Sequence, residues 1–148
     1  MSKKCVIITA SGFQDEEVVY PYYRLMEEGH SVEVATKDGA VVYGKYGVPA
    51  RATMATTELK SSNFDCVVLP GGFEAPDRVR LLSEVQEFVR EMDQQKKLVA
   101  AICHGPWIMI SAGICKGRKM TAFWSIEADM RNSGADYQHK VPVVIVNN

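Results

Sequence analysis

No stretch of this sequence is long and apolar enough to span a bilayer, which sets membrane-embedded functions aside. The opening Met1-Ser2-Lys3-Lys4 leads into a short apolar segment, not the long apolar core of a secretory signal, so a cytoplasmic location is expected. An excess of one charge is also missing. Lys and Arg number 17 and Asp and Glu 18, for a net charge of −1. No basic cluster gives the footprint of a nucleic-acid partner, and Lys116-Gly117-Arg118-Lys119 reads as a solvated turn. The cysteines (Cys5, Cys66, Cys103, Cys115) show no Cys-x-x-Cys spacing, and His30 and His139 have no partner at a metal-binding distance in sequence. With thiols kept reduced, neither a disulfide, a metal nor another cofactor is expected. Internal repeats, low-complexity tracts and linkers are absent, so residues 1–148 read as one domain.

What is present is a set of apolar runs separated by one-sided helical stretches. Cys5–Ala10, His30–Thr36, Cys66–Gly72 and Leu98–Cys103 read as buried strands. A helix is expected from Asp15 to Glu28, with Val18, Tyr22 and Leu25 on one face, Gly29 as its stop, and a kink or late start at Pro21. Residues 37–54 suggest a loop with a small hairpin. Ser83-Glu84-Val85-Gln86 has the form of a capping box ahead of Val85, Phe88, Val89 and Met92, which recur at helical spacing. Pro106 opens a further helix that Gly113 stops. Lys119–Phe123 reads as a strand, Ser125 as the cap of a helix ending at Gly134, and Val141–Asn147 as a last strand. Apolar strands alternating with such helices signal a mostly parallel sheet covered on both faces.

Sites in such sheets form beyond the carboxyl ends of the strands. Three ends carry unusual chemistry: Ser11–Asp15, Pro70-Gly71-Gly72 and Cys103-His104-Gly105. Free cysteine is often a small core hydrophobe, and Cys5 and Cys66 fit that reading. Cys103 differs because a helix starts just after it. The helix start favours a thiolate and is expected to lower the thiol pKa. A strand-to-helix bend there is a nucleophile elbow, with Gly105 easing the turn. The amide of His104 is expected to point at a substrate oxyanion, and Gly71 and Gly72 to bring a second N–H. The imidazole of His104 is expected to pair with the thiol. Its orienting acid has to come from elsewhere, Glu74 and Asp77 being the candidates.

The motifs AICHGP, LPGG with APDRVR, and FQDEEVVYPYYRLMEEGH, in that order, resemble the PfpI-like intracellular proteases of the ThiJ/PfpI superfamily along almost the whole chain. The resemblance implies a flavodoxin-like three-layer α/β sandwich. It implies Cys103 as nucleophile beside His104, oxyanion donors at Gly72 and His104, and Asp77 as third member reaching His104 across a subunit contact. It thereby implies a homo-oligomer, dimer or larger, with its site near that contact. Three features depart from the family pattern. Gln14 stands where a glutamate, two residues after Gly12, is expected to hydrogen-bond the cysteine. One extra residue in GGFEAPD makes Glu74 a fallback for Asp77. Relatives carry a further C-terminal strand and helix after the strand that ends here at Asn147-Asn148, so apolar sheet surface is expected to be bare or covered by a partner.

The leading expectation is therefore a cysteine hydrolase that attacks a peptide or amide carbonyl through a thioester on Cys103. A glutathione-independent glyoxalase or deglycase acting on 2-oxoaldehydes and their adducts through a hemithioacetal is the alternative. Gln14 counts against it, because an amide cannot shuttle a proton. A stress-linked redox protein without turnover is the third reading. Tyr20, Tyr22 and Tyr23 read as core or interface, and Trp107 and Trp124 as packing.

Overall fold

The computed structural model describes residues 1–146. The strands are β1 (Lys4–Ile8), β2 (Ser31–Thr36), β3 (Val42–Tyr43), β4 (Pro49–Ala50), β5 (Met54–Ala55), β6 (Cys66–Leu69), β7 (Leu98–Ala101), β8 (Lys119–Met120) and β9 (Asp136–Tyr137). The helices are α1 (Asp15–Glu27), α2 (Glu74–Val79), α3 (Ser83–Gln94), α4 (Pro106–Ala112) and α5 (Glu127–Asn132). Five strands form one parallel sheet in the order β5-β2-β1-β6-β7. The pair β3–β4 is the small antiparallel hairpin expected in the 37–54 region.

Side-chain alternation sends each strand's residues to two separate cores, which is why the strands read as unbroken apolar runs. Cys5, Ile7, Cys66 and Val68 pack with Val18, Tyr22 and Leu25 of α1 on one face. Val6, Ile8, Val67 and Leu69 pack on the other with Val85, Phe88, Val89 and Met92 of α3 and with Ile108, Met109 and Ala112 of α4. The result is the three-layer sandwich, and its parallel strands all aim their carboxyl ends at one edge.

The differences from expectation are local. α1 runs through Pro21 from Asp15, with neither late start nor break. The capping box does not form: Leu82 is the N-cap of α3, the Gln86 amide donates to the Arg80 carbonyl, and Glu84 accepts from the Thr56 hydroxyl. Ser125 does not cap α5. It lies in a 3-10 turn, Trp124–Ile126, and Ile126 is the cap. The strand expected over 141–147 is not formed across 141–146, and Asn147 lies outside the described residues. β-branched composition gives strand propensity, but a strand needs a ladder partner, and β8 pairs with β9 instead. Val143 and Ile145 are exposed there, as are Leu98 in outer strand β7 and Ile102 just after it. No helix among the described residues is long and apolar enough to cross a membrane.

Candidate active site

Cys103 stands two residues beyond β7, three before α4, with φ of 60°. Left-handed backbone at a cysteine is strained, and here it holds the side chain on the bend where strand gives way to helix. The elbow residue is thus the cysteine itself. Gly105 is in ordinary right-handed helical conformation. Its role is space, since any Cβ there would strike the Leu69 carbonyl. Gly71 meets a similar demand. A Cβ on it would lie 2.5 Å from the Cys103 Cβ and 2.8 Å from the His104 nitrogen. Gly72 has φ of +76°, and a Cβ there would lie 2.6 Å from the Gly12 carbonyl oxygen. The LPGG turn is therefore glycine-rich because the first loop, the second loop and the elbow touch.

Their convergence surrounds one sulfur. The backbone N–H groups of Gly72 and His104, the two amides expected to serve an oxyanion, both donate to the Cys103 thiol. His104 Nδ1 lies 3.2 Å from Sγ. The third neighbour is Glu17, from the first turn of α1. Its carboxylate accepts the Gly71 N–H at 2.6 Å and shares a hydrogen bond with the Cys103 thiol. The expectation for Gln14 is corrected here. Gln14 precedes α1 in extended conformation and donates its amide to Glu16 at 2.9 Å. The carboxyl that meets the thiol comes from Glu17, three residues later, so the proton-carrying group that Gln14 seemed to remove is present.

Glu74 and Asp77 do not reach His104 within the chain. Glu74 is ion-paired with Arg78 at 3.0 Å, and Asp77 is exposed on α2. The imidazole is instead held by residues from the 123–125 segment and α4. Nε2 lies 3.1 Å from the Ser125 hydroxyl, and the ring sits against Trp107 and Phe123, with centroids 4.9 and 5.1 Å away. Trp107 donates in turn to Asp129 at 2.8 Å. Trp107 is thus more than packing, while Trp124 is exposed.

Burial governs the charges. It pushes the Cys103 thiol up; the nearby Glu17 charge adds to this, and the Gly72 and His104 amides oppose it. The expected lowering by the helix start is outweighed. Burial also pushes the Glu17 carboxyl up, against the Gly71 N–H, and pushes His104 down, against the distant Asp129 charge. Burial at His104 thus works against the cation of a thiolate–imidazolium pair. Cys66 and Cys115, pushed up to about 12 and about 11 by burial, stay as thiols. A hollow of about 990 Å³ opens over Cys103, walled by Gln14, Glu17, Lys45, Phe73, His104 and Phe123. Among the described residues no group of three or more His, Cys, Asp or Glu is placed to hold a metal.

A parallel α/β sandwich that presents a strained cysteine beside an imidazole and a buried carboxyl defines a cysteine-elbow protein of the flavodoxin-like class. The chain belongs to the DJ-1/PfpI family, whose profile matches residues 3–148. It is 44% identical over 141 residues to Deglycase PfpI of Pyrococcus furiosus, covering 95% of this chain and 84% of that protein. It is 37% identical over 147 residues to Protein/nucleic acid deglycase 2 of Escherichia coli, covering 97% and 84%. A crystal structure of a two-domain protein from Anabaena variabilis, with DJ-1/ThiJ/PfpI-like and ferritin-like domains, superimposes with a TM-score of 0.93 at 38% identity. That match covers 99% of this chain and 42% of the Anabaena chain.

Proposed function

We propose that this protein is a cofactor-independent cytoplasmic deglycase, using Cys103 against early adducts of 2-oxoaldehydes with amines and against the free aldehydes. The observation that carries this reading is the Glu17 carboxyl hydrogen-bonded to the Cys103 thiol in a half-buried site. The two acids share one proton. The reactive form in this reading carries that proton on Glu17, which then donates O–H to a thiolate that also receives the amides of Gly72 and His104. The names of the Pyrococcus furiosus and Escherichia coli relatives support the same reading.

The chemistry balances on this chain's own groups. The thiolate attacks the carbinol carbon of an adduct, a C–S bond forms, and the C–N bond breaks. The amine leaves with the Glu17 proton. A free 2-oxoaldehyde reaches the same hemithioacetal when its carbonyl oxygen takes that proton instead. Glu17, now a carboxylate, takes the C1 proton and returns it to C2 while the C1 hydroxyl proton passes to the C2 oxygen, which leaves a 2-hydroxy thioester. Water cleaves it, with neutral His104 as base, and releases the hydroxy acid and the thiol.

Peptide or amide hydrolysis is the second reading. It requires an acid to orient His104, and among the described residues none does. It would therefore depend on a homo-oligomer that brings Asp77 of a neighbouring copy to the ring, with activity appearing only on assembly. The test is incubation with the methylglyoxal adduct of N-acetylarginine, following release of free N-acetylarginine and lactate, alongside fluorogenic peptides. Cys103→Ser is expected to abolish adduct cleavage, and Glu17→Gln to lower it by about 10²- to 10⁴-fold. Cys103-dependent peptide cleavage with the adduct untouched would overturn the proposal, and selective peroxide oxidation of Cys103 with no turnover on either would favour the redox reading.

A further inference from the structure

The Ser125 hydroxyl is the only group described at the outer nitrogen of His104, and it stands where an orienting carboxylate was expected. We infer that Ser125 is a positioning residue that sets, and then reverses, the tautomer of His104 during the reaction. This rests on the deglycase reading for its second half only.

A carboxylate at Nε2 can only accept, and so holds one tautomer, with the proton on Nε2. A serine hydroxyl donates or accepts by rotating about its C–O bond. The neighbourhood of Nδ1 demands both states in turn. While Cys103 is a thiolate, a bare Nδ1 lone pair 3.2 Å from the sulfur would repel it. Nδ1 must carry the hydrogen and donate to sulfur, and Nε2 must then accept from Ser125 O–H. Once the sulfur is acylated it no longer attracts a donor. The base that activates water then needs Nδ1 bare, which places the hydrogen on Nε2 and turns Ser125 into the acceptor. When Nδ1 takes the proton of water, the cation that forms still has Nε2–H on Ser125, and that proton returns as the thiol leaves.

The surroundings fit a ring meant to change tautomer without changing place. Phe123 lies tilted against the ring and Trp107 meets it in an edge contact, and Asp129 fixes Trp107 through the indole N–H. Ring rotation is thereby hindered, while the exposed Ser125 hydroxyl is free to turn. Burial disfavours the cation and so favours the neutral, tautomeric ring.

The experiment compares Ser125→Ala, Ser125→Thr and Asp77→Asn with wild type in the full chain. Two-bond ¹H–¹⁵N correlation of imidazole nitrogens reads the tautomer directly, with His104→Gln assigning its signals apart from His30 and His139. Wild type with free thiolate is expected to show the Nδ1–H form. Ser125→Ala is expected to shift toward the other tautomer, and Ser125→Thr to restore it. Asp77→Asn is expected to leave it unchanged. In adduct turnover, Ser125→Ala is expected to lower kcat by about 2- to 12-fold, the worth of one neutral hydrogen bond, with KM unmoved. Identical His104 nitrogen shifts in wild type and Ser125→Ala would overturn the inference, as would a change produced by Asp77→Asn but not by Ser125→Ala. Absence of adduct turnover in wild type, with the tautomer still following Ser125, would remove the deglycase reading and leave the tautomer-setting role standing.

Discussion

Replacing Glu17 separates its two duties, because glutamine and leucine of similar size keep different parts of its chemistry. Glutamine retains an acceptor for the Gly71 N–H, 2.6 Å away in the wild type, and an N–H that can point at sulfur. Leucine retains neither. If the shared proton rests on Glu17, the carboxyl is a donor to an anionic sulfur, and a hydrogen bond to a charged group contributes about 1.5–3 kcal/mol. Its loss cuts the thiolate fraction, and with it the rate of alkylation by iodoacetamide at pH 7, by about 10- to 150-fold, since 1.36 kcal/mol is a factor of ten. Glu17→Leu is therefore expected to alkylate that much more slowly than wild type, and Glu17→Gln only a few-fold more slowly. Turnover of the adduct is expected to fall in both, by about 10²- to 10⁴-fold, because neither side chain carries a proton between carbons. The assay is stopped-flow or mass-spectrometric alkylation of Cys103, run beside adduct turnover on the same preparations. The opposite order would refute the reasoning. Faster alkylation in Glu17→Leu would mean that Glu17 stands as a carboxylate whose charge holds the thiol in its protonated form.

Gln14→Glu is expected to give no gain in turnover, since the Gln14 side chain engages Glu16 and a carboxylate there only loses that bond; a several-fold gain would return Gln14 to the chemistry. Glu17 also bears on stability. Its carboxyl is pushed up on folding, so the folded chain keeps a proton that the unfolded chain has already released, and its contribution, complete in acid, is lost as pH rises toward the raised value. Thermal melts should therefore show Glu17→Gln equal to wild type near pH ~4 and more stable by pH ~8. Iodoacetamide at pH 8 is expected to label Cys103 ahead of Cys5, Cys66 and Cys115, all three buried and pushed up; peptide mapping that finds Cys115 modified as fast would contradict that. Met92→Ala empties a fully buried position between α3 and the sheet and is expected to cost about 2–5 kcal/mol in urea denaturation, with no change in Cys103 alkylation.

Much of the architecture was legible because it repeats one physical rule. Val85, Phe88, Val89 and Met92 recur at helical spacing and are all buried on one face of α3. The apolar runs around Val6, Val67 and Val99 have no polar face, and they are adjacent parallel strands in register. Where a sequence signal was ambiguous, tertiary partners decided. Ser83 and Gln86 satisfy the pattern of a capping box, yet Gln86 donates its side-chain N–H to the Arg80 carbonyl. Residues 141–146 have the composition of a strand, but Val141 offers its carbonyl to the Thr121 hydroxyl, not to a ladder.

The site shows the same limit more sharply, since two of its groups are invisible to local pattern. Asp15, Glu16 and Glu17 form an acidic first turn, which the helix dipole alone explains. Position decides which of the three is chemical. Asp15 turns inward and ties down the hairpin through the Tyr46 and Val48 amides, Glu16 stays in solvent, and Glu17 flanks the buried Val18 and faces the elbow. Gln14 lies before the helix, so its extended backbone swings the side chain toward Glu16, and counting residues from Gly12 lands on the wrong group. A helical count anchored on Val18 selects Asp15, three residues back and buried with it, so periodicity does not single out Glu17 either. Ser125 is no more legible. It reads as a cap from its neighbours, and only the return of the chain from β8 past the elbow, where the Phe123 N–H donates to the Cys103 carbonyl at 3.0 Å, brings its hydroxyl to the imidazole. That backbone bond ties the nucleophile's turn to the segment bearing the imidazole's partner, so a shift in one displaces the other. Thiol reactivity and His104 tautomer are therefore expected to change together in variants of the 121–126 segment, even those that leave Ser125 in place.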